Sequence, residues 1–150
     1  MPQSLSKIYV HIIFSTARRE KILPKELLPE LYAYLATVIK NLDCHAVQIG
    51  GTEDHIHILC VQSKNISTAK LVEEIKKPTS MWLKTKSDAL TQFHWQSGYG
   101  AFSVSQSDVD RVREYIQNQE EHHRSRSFQD EFREFLSRYD VDFDEKYIWD

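Results

Sequence analysis

Residues 8–15, IYVHIIFS, alternate so that Ile8, Val10, Ile12 and Phe14 face one way and Tyr9, His11, Ile13 and Ser15 the other. A period of two marks an extended strand, and a wholly apolar face on it has to be covered by other elements. The chain is committed early to a sheet with one packed side. In the stretch that follows, Leu28, Leu31, Tyr32, Leu35, Val38, Ile39 and Leu42 recur at spacings of three and four, which predicts an amphipathic helix. CHAVQIGG and DHIHILCVQ then read as a second and third strand, antiparallel across a short turn that begins at Gly50 and Gly51.

Ser67 is placed to cap a helix through Leu71, Val72 and Ile75, and Pro78, which lacks an amide hydrogen, predicts a break near Lys77 before Trp82 and Leu83. FHWQSGYGAFSVS reads as a loop entering a fourth strand. Ser105 or Ser107 should cap one helix, DVDRVREYIQNQEEHH, with Val109, Val112 and Ile116 as its apolar stripe, and a last helix runs from about Phe128 to Tyr139. The order β-α-β-β-α-β predicts an α+β, ferredoxin-like split βαβ sandwich with an antiparallel sheet, helices on one face and an extra C-terminal helix. The other face is left free for chemistry. A length of 150 residues suits one domain, 1–150, with the acidic segment 128–150 part of it.

No run approaches the roughly 18 apolar residues of a membrane span, and the first residues lack a signal-peptide core, so a soluble, cytoplasmic protein is expected. Cys44 and Cys60 lie apart in apolar runs, which favours buried, reduced thiols over a disulfide. The net charge of -3 argues mildly against a nucleic-acid partner, but residues 128–150 hold eight acids against three bases, so the excess of acid is local. Bases cluster at Arg18, Arg19 and Lys21 and from Lys64 to Lys86. Such clusters suit a basic face or ordinary solvated helix surfaces.

In the third strand His55 and His57 are two residues apart, so both imidazoles leave one face with Cα atoms roughly 6.5–7 Å apart, close enough to converge on one cation. Ile56, Ile58 and Cys60 face the core, which explains the apolar context without burying the histidines. Two half-exposed histidines on a surface strand fit the same pattern. Tyr115, Gln119 and His122 share a narrow helix face beside the apolar stripe, bordering the core while reaching outward. A boundary aromatic and a solvated amide would look the same, and the tandem His122 and His123 also suit the dipole at a helix end.

HIIFST, GGTEDHIHIL, WQSGYGAFSVS and YIQNQEEHH resemble, in order and spacing, the single-tyrosine HUH transposases of small bacterial insertion sequences, and the acidic ending YDVDFDEKYIWD looks like their closing segment. The resemblance implies that His55 and His57 are metal ligands, Tyr115 the nucleophile and Gln119 the third metal-binding side chain. It implies a 5'-phosphotyrosine intermediate on single-stranded DNA, whose stored bond energy lets the strand be rejoined. Three neutral ligands would suit Mg²⁺, with Mn²⁺ a plausible substitute, while a structural zinc site would want four closed ligands. Glu53 or Asp54 is a further carboxylate at the turn, able to orient a ligand.

The same resemblance implies hairpin-ended DNA as partner and a homodimer whose active sites are completed between subunits. Arg18, Arg19, Lys76, Lys77 and Lys84 are the candidates for the DNA surface, on charge alone. Two alternatives share these residues: a domesticated protein that binds hairpin DNA without cutting it, and a replication initiator or relaxase, which usually carries additional domains.

Overall fold

The computed structural model describes residues 2–150. Its central element is the first alternating stretch, β1 (Ile8–Ser15), which pairs antiparallel with β3 (His55–Gln62) on one side and β4 (Gly100–Val104) on the other. β2 (His45–Gly51) pairs antiparallel with β3, giving a four-stranded sheet in the order β2-β3-β1-β4. This is the ferredoxin-like order expected from the sequence.

One face carries α1 (Leu28–Asn41) and α2 (Thr68–Lys84). Val10, Ile12 and Phe14 of β1 and Ile56, Ile58 and Cys60 of β3 meet Leu31, Leu35, Ile39, Leu71, Ile75 and Leu83 there in the main core. Ser67 caps α2 as expected, its hydroxyl accepting from the Lys70 amide at 3.1 Å. The break expected near Lys77 is absent: α2 runs unbroken through Pro78. Leu71, Val72 and Ile75 before the proline and Thr79 and Leu83 after it share one buried stripe, and that burial outweighs the backbone hydrogen bond the proline forgoes.

The opposite face is not free, and helices on one face alone is corrected to helices on both. α3 (Val109–Gln117) buries Val109 and Ile116 against Tyr9, Leu59 and Val104, while α5 (Phe128–Arg138) buries Phe128, Phe132, Phe135 and Leu136 against Ile13 and Phe102. The physical cause is in the strands: Tyr9, Ile13, Leu59, Phe102 and Val104 make the second face apolar too, and it demands cover. Two glycines let the helices close in. A Cβ on Gly50 would run into the Ile116 carbonyl of α3, and one on Gly100 would meet the Phe132 ring of α5.

The helix expected as one piece over residues 108–123 is two. Asn118 (φ -101, ψ 25) ends α3, and a short α4 (Gln119–His122) restarts beyond it. Ser105 does not cap the backbone of α3; its hydroxyl reaches the Asp108 carboxylate at 3.2 Å. α5 is capped by Ser127, which accepts from the Asp130 amide at 3.1 Å. Both cysteines are free and buried, and burial pushes the Cys60 thiol up to about 12. Among the described residues no helix is long and apolar enough to cross a membrane.

Candidate active site

Strand alternation puts His55 and His57 of β3 on the second face, opposite Ser15 and Ile13 of β1. They do leave one face together, as the spacing predicts, but α3 and α5 cover that face and both imidazoles are fully buried. Each ring is oriented through Nδ1. His55 Nδ1 lies 2.7 Å from Asp54 Oδ1 and 3.0 Å from Thr52 Oγ1, and His57 Nδ1 lies 2.8 Å from Nε2 of the equally buried His11. The turn that carries Asp54 is itself pinned, because the Thr16 amide donates to the Asp54 carbonyl at 2.8 Å and the Leu23 amide to the Glu53 carbonyl at 3.0 Å.

With Nδ1 fixed, both Nε2 atoms face the helices. Gln119, the first residue of α4, turns inward to bring its Oε1 within 3.0 Å of His55 Nε2. Glu131, from the apolar side of α5, places Oε1 2.9 Å from His57 Nε2, 3.1 Å from His123 Nε2 and 3.5 Å from His55 Nε2. Its second oxygen accepts the hydroxyl of Tyr115. Arg126 Nη2 donates to that same phenol oxygen at 2.6 Å, and the His122 ring stacks on the tyrosine with centroids 4.5 Å apart.

Burial works to raise the Glu131 carboxyl, but the charge of His57 and hydrogen bonds from His123 and His57 outweigh it and hold the group ionised. Burial lowers His57 and holds His11 well below the usual imidazole range. Tyr115 is raised, first by burial and then by the Glu131 charge and hydrogen bond, with Arg126 pulling the other way. The phenol is therefore protonated at neutral pH.

The donors fit a divalent cation. His55, His57 and Glu131 each offer one ligand atom, all within 4.8 Å of one another, and Gln119 Oε1 stands beside them. His55 Nδ1 is held by Asp54, and its Nε2 lies 3.0 Å from Gln119 Oε1 on the side of the helices. The Gln119 amide nitrogen points instead to the Tyr115 carbonyl at 3.5 Å.

Of the residues expected from the sequence, His55, His57, Gln119 and Tyr115 meet in one cluster within a single chain. The five basic candidates do not form part of it. Arg18 is exposed beside Glu20, Arg19 donates to the Trp149 carbonyl at 3.3 Å and stacks on its ring, and Lys77 is exposed and Lys84 half-buried on α2. Lys76 is committed elsewhere: its ammonium holds the carbonyls of Gln96 at 2.8 Å and Gly98 at 2.6 Å, and burial lowers it to about 8.

Sequence reasoning missed Glu131, His11, His123 and Arg126. Glu131 had a signal, an acid at the position of an apolar stripe formed by Phe128, Phe132 and Phe135. His11 had another, since it shares a strand face with Ile13, the partner of His57.

Residues 4–119 match the family model described as "Transposase IS200 like". The fold is shared with a transposase candidate from Deinococcus radiodurans R1, at TM-score 0.62 and 20% identity over 79% of this chain and 98% of that one. It is shared also with a REP-associated tyrosine transposase bound to a REP hairpin, at TM-score 0.60 and 14% identity over 82% and 73%. No curated protein matches the chain. The matched span takes in His11, His55, His57, Tyr115 and Gln119 and ends before His123, Arg126 and Glu131.

Proposed function

For a chain that belongs to the IS200-like transposase family, we propose a transposase that cleaves and rejoins single-stranded DNA at insertion-sequence ends through a covalent 5'-phosphotyrosine on Tyr115. One observation carries the reading: a single carboxylate, Glu131, touches the Tyr115 hydroxyl with one oxygen and His57 Nε2 with the other. The nucleophile and the ligand cluster are therefore a carboxylate's width apart. In the exchange the Tyr115 oxygen bonds to phosphorus, the bond from phosphorus to the 3' oxygen breaks, and that oxygen leaves as a hydroxyl while the phenol gives up its proton.

His55, His57 and Gln119 would hold Mg²⁺, or Mn²⁺ in its place, and the ion would draw charge from the scissile phosphate and orient it. The chain's own contribution is orientation. Asp54 and His11 aim the imidazoles, Arg126 fixes the phenol oxygen, and the α3 and α5 cover excludes water. With α5 docked, His55, His57, Gln119 and Glu131 are all buried, so a phosphate reaches them only when α5 moves aside. Hairpin-ended DNA as partner is supported by the fold shared with the REP-bound protein. Arg18, Arg19, Lys77 and Lys84 are the basic residues we propose for its phosphates, on charge alone.

A homodimer with active sites completed between subunits belongs to the same reading, although here Tyr115 stands beside its own chain's His57, ring centroids 5.9 Å apart. Free buried thiols accord with action in the cytoplasm. The complete burial of the site favours one other reading, hairpin-DNA binding without cleavage. Incubation with single-stranded hairpin oligonucleotides and Mg²⁺ separates the two. Cleavage predicts a denaturation-resistant protein–DNA band that duplex of the same sequence does not give; binding with no such band would leave only the second.

A further inference from the structure

We propose that residues 144–150 are a latch that holds α5 over the site, and that hairpin DNA releases it by drawing Arg19 from Trp149 to a phosphate. The inference rests on the DNA-binding part of the function above and adds to it what opens the site.

The latch grips the half of α5 that closes the site. Glu131 reaches His57 from between Phe128 and Phe132, and Trp149 packs on both of those rings, with centroids 6.4 and 6.0 Å away. Phe135, one turn further along, is docked independently on Phe102 of β4, centroids 5.5 Å apart. Loss of Trp149 therefore frees the turns around Glu131 and leaves the far half of α5 in place.

The segment itself is lightly held. Residues 141–147 are exposed, and only Ile148 and Trp149 are half-buried. Its ties are the Gly98 amide, which donates to the Asp150 carbonyl at 2.7 Å, the ion pair of Glu145 with Arg133, and the Trp149 ring. Exposed chain with few packed side chains is where local opening costs least.

Arg19 is the trigger. Its guanidinium lies 5.3 Å from the centroid of the Trp149 ring, and its Nη1 donates to the Trp149 carbonyl at 3.3 Å. Arg133 of α5 sits 5.1 Å from the same centroid, so one ring joins α5 to the turn after β1. In that turn Arg18 and Arg19 both have left-handed backbone, at φ 56 and 55. Side chains other than glycine seldom adopt it, and two in succession persist only while contacts hold them, so the strain favours release. A phosphate offers the guanidinium two charged oxygens in place of one neutral carbonyl and a ring face, which makes it the stronger partner. Arg19 cannot serve both. Competition for one side chain is reciprocal: DNA weakens the latch, and the latch weakens DNA binding by the same factor.

Hydrogen exchange on the full chain tests this with a chelator present, so that no strand is cut. Addition of a single-stranded hairpin oligonucleotide to the wild type should speed exchange of the α5 amides by about fivefold or more and leave those of α1 unchanged. Trp149→Ala should show the faster α5 exchange without DNA and should bind the hairpin tighter by the same factor. A residue that only packed would not tighten DNA binding when removed. Hairpin bound with α5 exchange unmoved, hairpin affinity in Trp149→Ala no better than wild type, or faster exchange in α1 as well as α5 would overturn the latch. A response of α5 with no covalent adduct in Mg²⁺ would leave the latch and remove the strand-transfer reading. Adduct formation with α5 unmoved would remove the latch alone, and a chain that binds no hairpin would remove both.

Discussion

His11 Nε2 lies 2.8 Å from His57 Nδ1, a contact between two imidazoles on adjacent strands, both buried beneath α5. In the proposed function it makes His11 a positioning residue, one that fixes which nitrogen His57 would turn toward a bound ion. His11→Phe, which keeps an aromatic ring against Phe135, should lower divalent-metal affinity by about 10–100-fold, the usual cost of losing an outer partner of a ligating histidine. Isothermal titration with Mn²⁺ reads it directly. Unchanged affinity would reduce His11 to packing.

Acid should destabilise the metal-free protein from near neutrality downward. His11 and His57 have lowered folded values, so below about 6.5 the unfolded chain takes up protons that the folded one refuses. Their contribution is therefore whole above that pH and lost as pH falls, at up to about 1.4 kcal/mol per pH unit for each proton. Glu131 has the same sign at lower pH, its contribution being present above the unfolded carboxyl value and lost below it. Urea unfolding from pH 8 to pH 4 in the presence of a chelator should show stability falling from about pH 6.5, and less steeply in His11→Phe. A flat profile down to pH 5 would contradict it.

Adjacent lysines of α2 should behave differently. Lys76→Met leaves the carbonyls of Gln96 and Gly98 without their ammonium donor and should cost about 1–3 kcal/mol in thermal or urea unfolding. Lys77→Ala touches no such bond and should leave stability within about 0.5 kcal/mol. It should instead weaken hairpin-DNA binding and reduce the salt dependence of that binding by about one charge. Equal effects of the two substitutions on stability would remove the distinction.

The sheet was legible because alternation is local: β1 and β3 declare their two faces in eight residues each. His55 and His57 were legible as a spacing within one strand, and Tyr115 and Gln119 as a spacing on what the sequence reads as one helix, each with the family resemblance beside it. What was not legible depends on which elements meet. Glu131 is an acid on an apolar helix stripe, and only the docking of α5 on Ile13 and Phe102 shows that the stripe faces two histidines. His11 joins the site through the pairing of β1 with β3, across 46 residues. Pro78 misled in the opposite direction, because a local rule about the backbone was overridden by burial of one stripe on both sides of it. The break at Asn118 likewise has no signature in the helical periodicity, yet it restarts the chain so that Gln119 turns inward.

The central claim is that the Tyr115 oxygen forms the covalent bond to DNA. Wild-type protein should be incubated with a single-stranded hairpin oligonucleotide and divalent metal, denatured and digested, and the nucleotide-bearing peptide sequenced by mass spectrometry. The account predicts the modification on Tyr115, with no adduct and undiminished hairpin binding in Tyr115→Phe. A linked nucleotide on any other residue, or an adduct that persists in Tyr115→Phe, would contradict it.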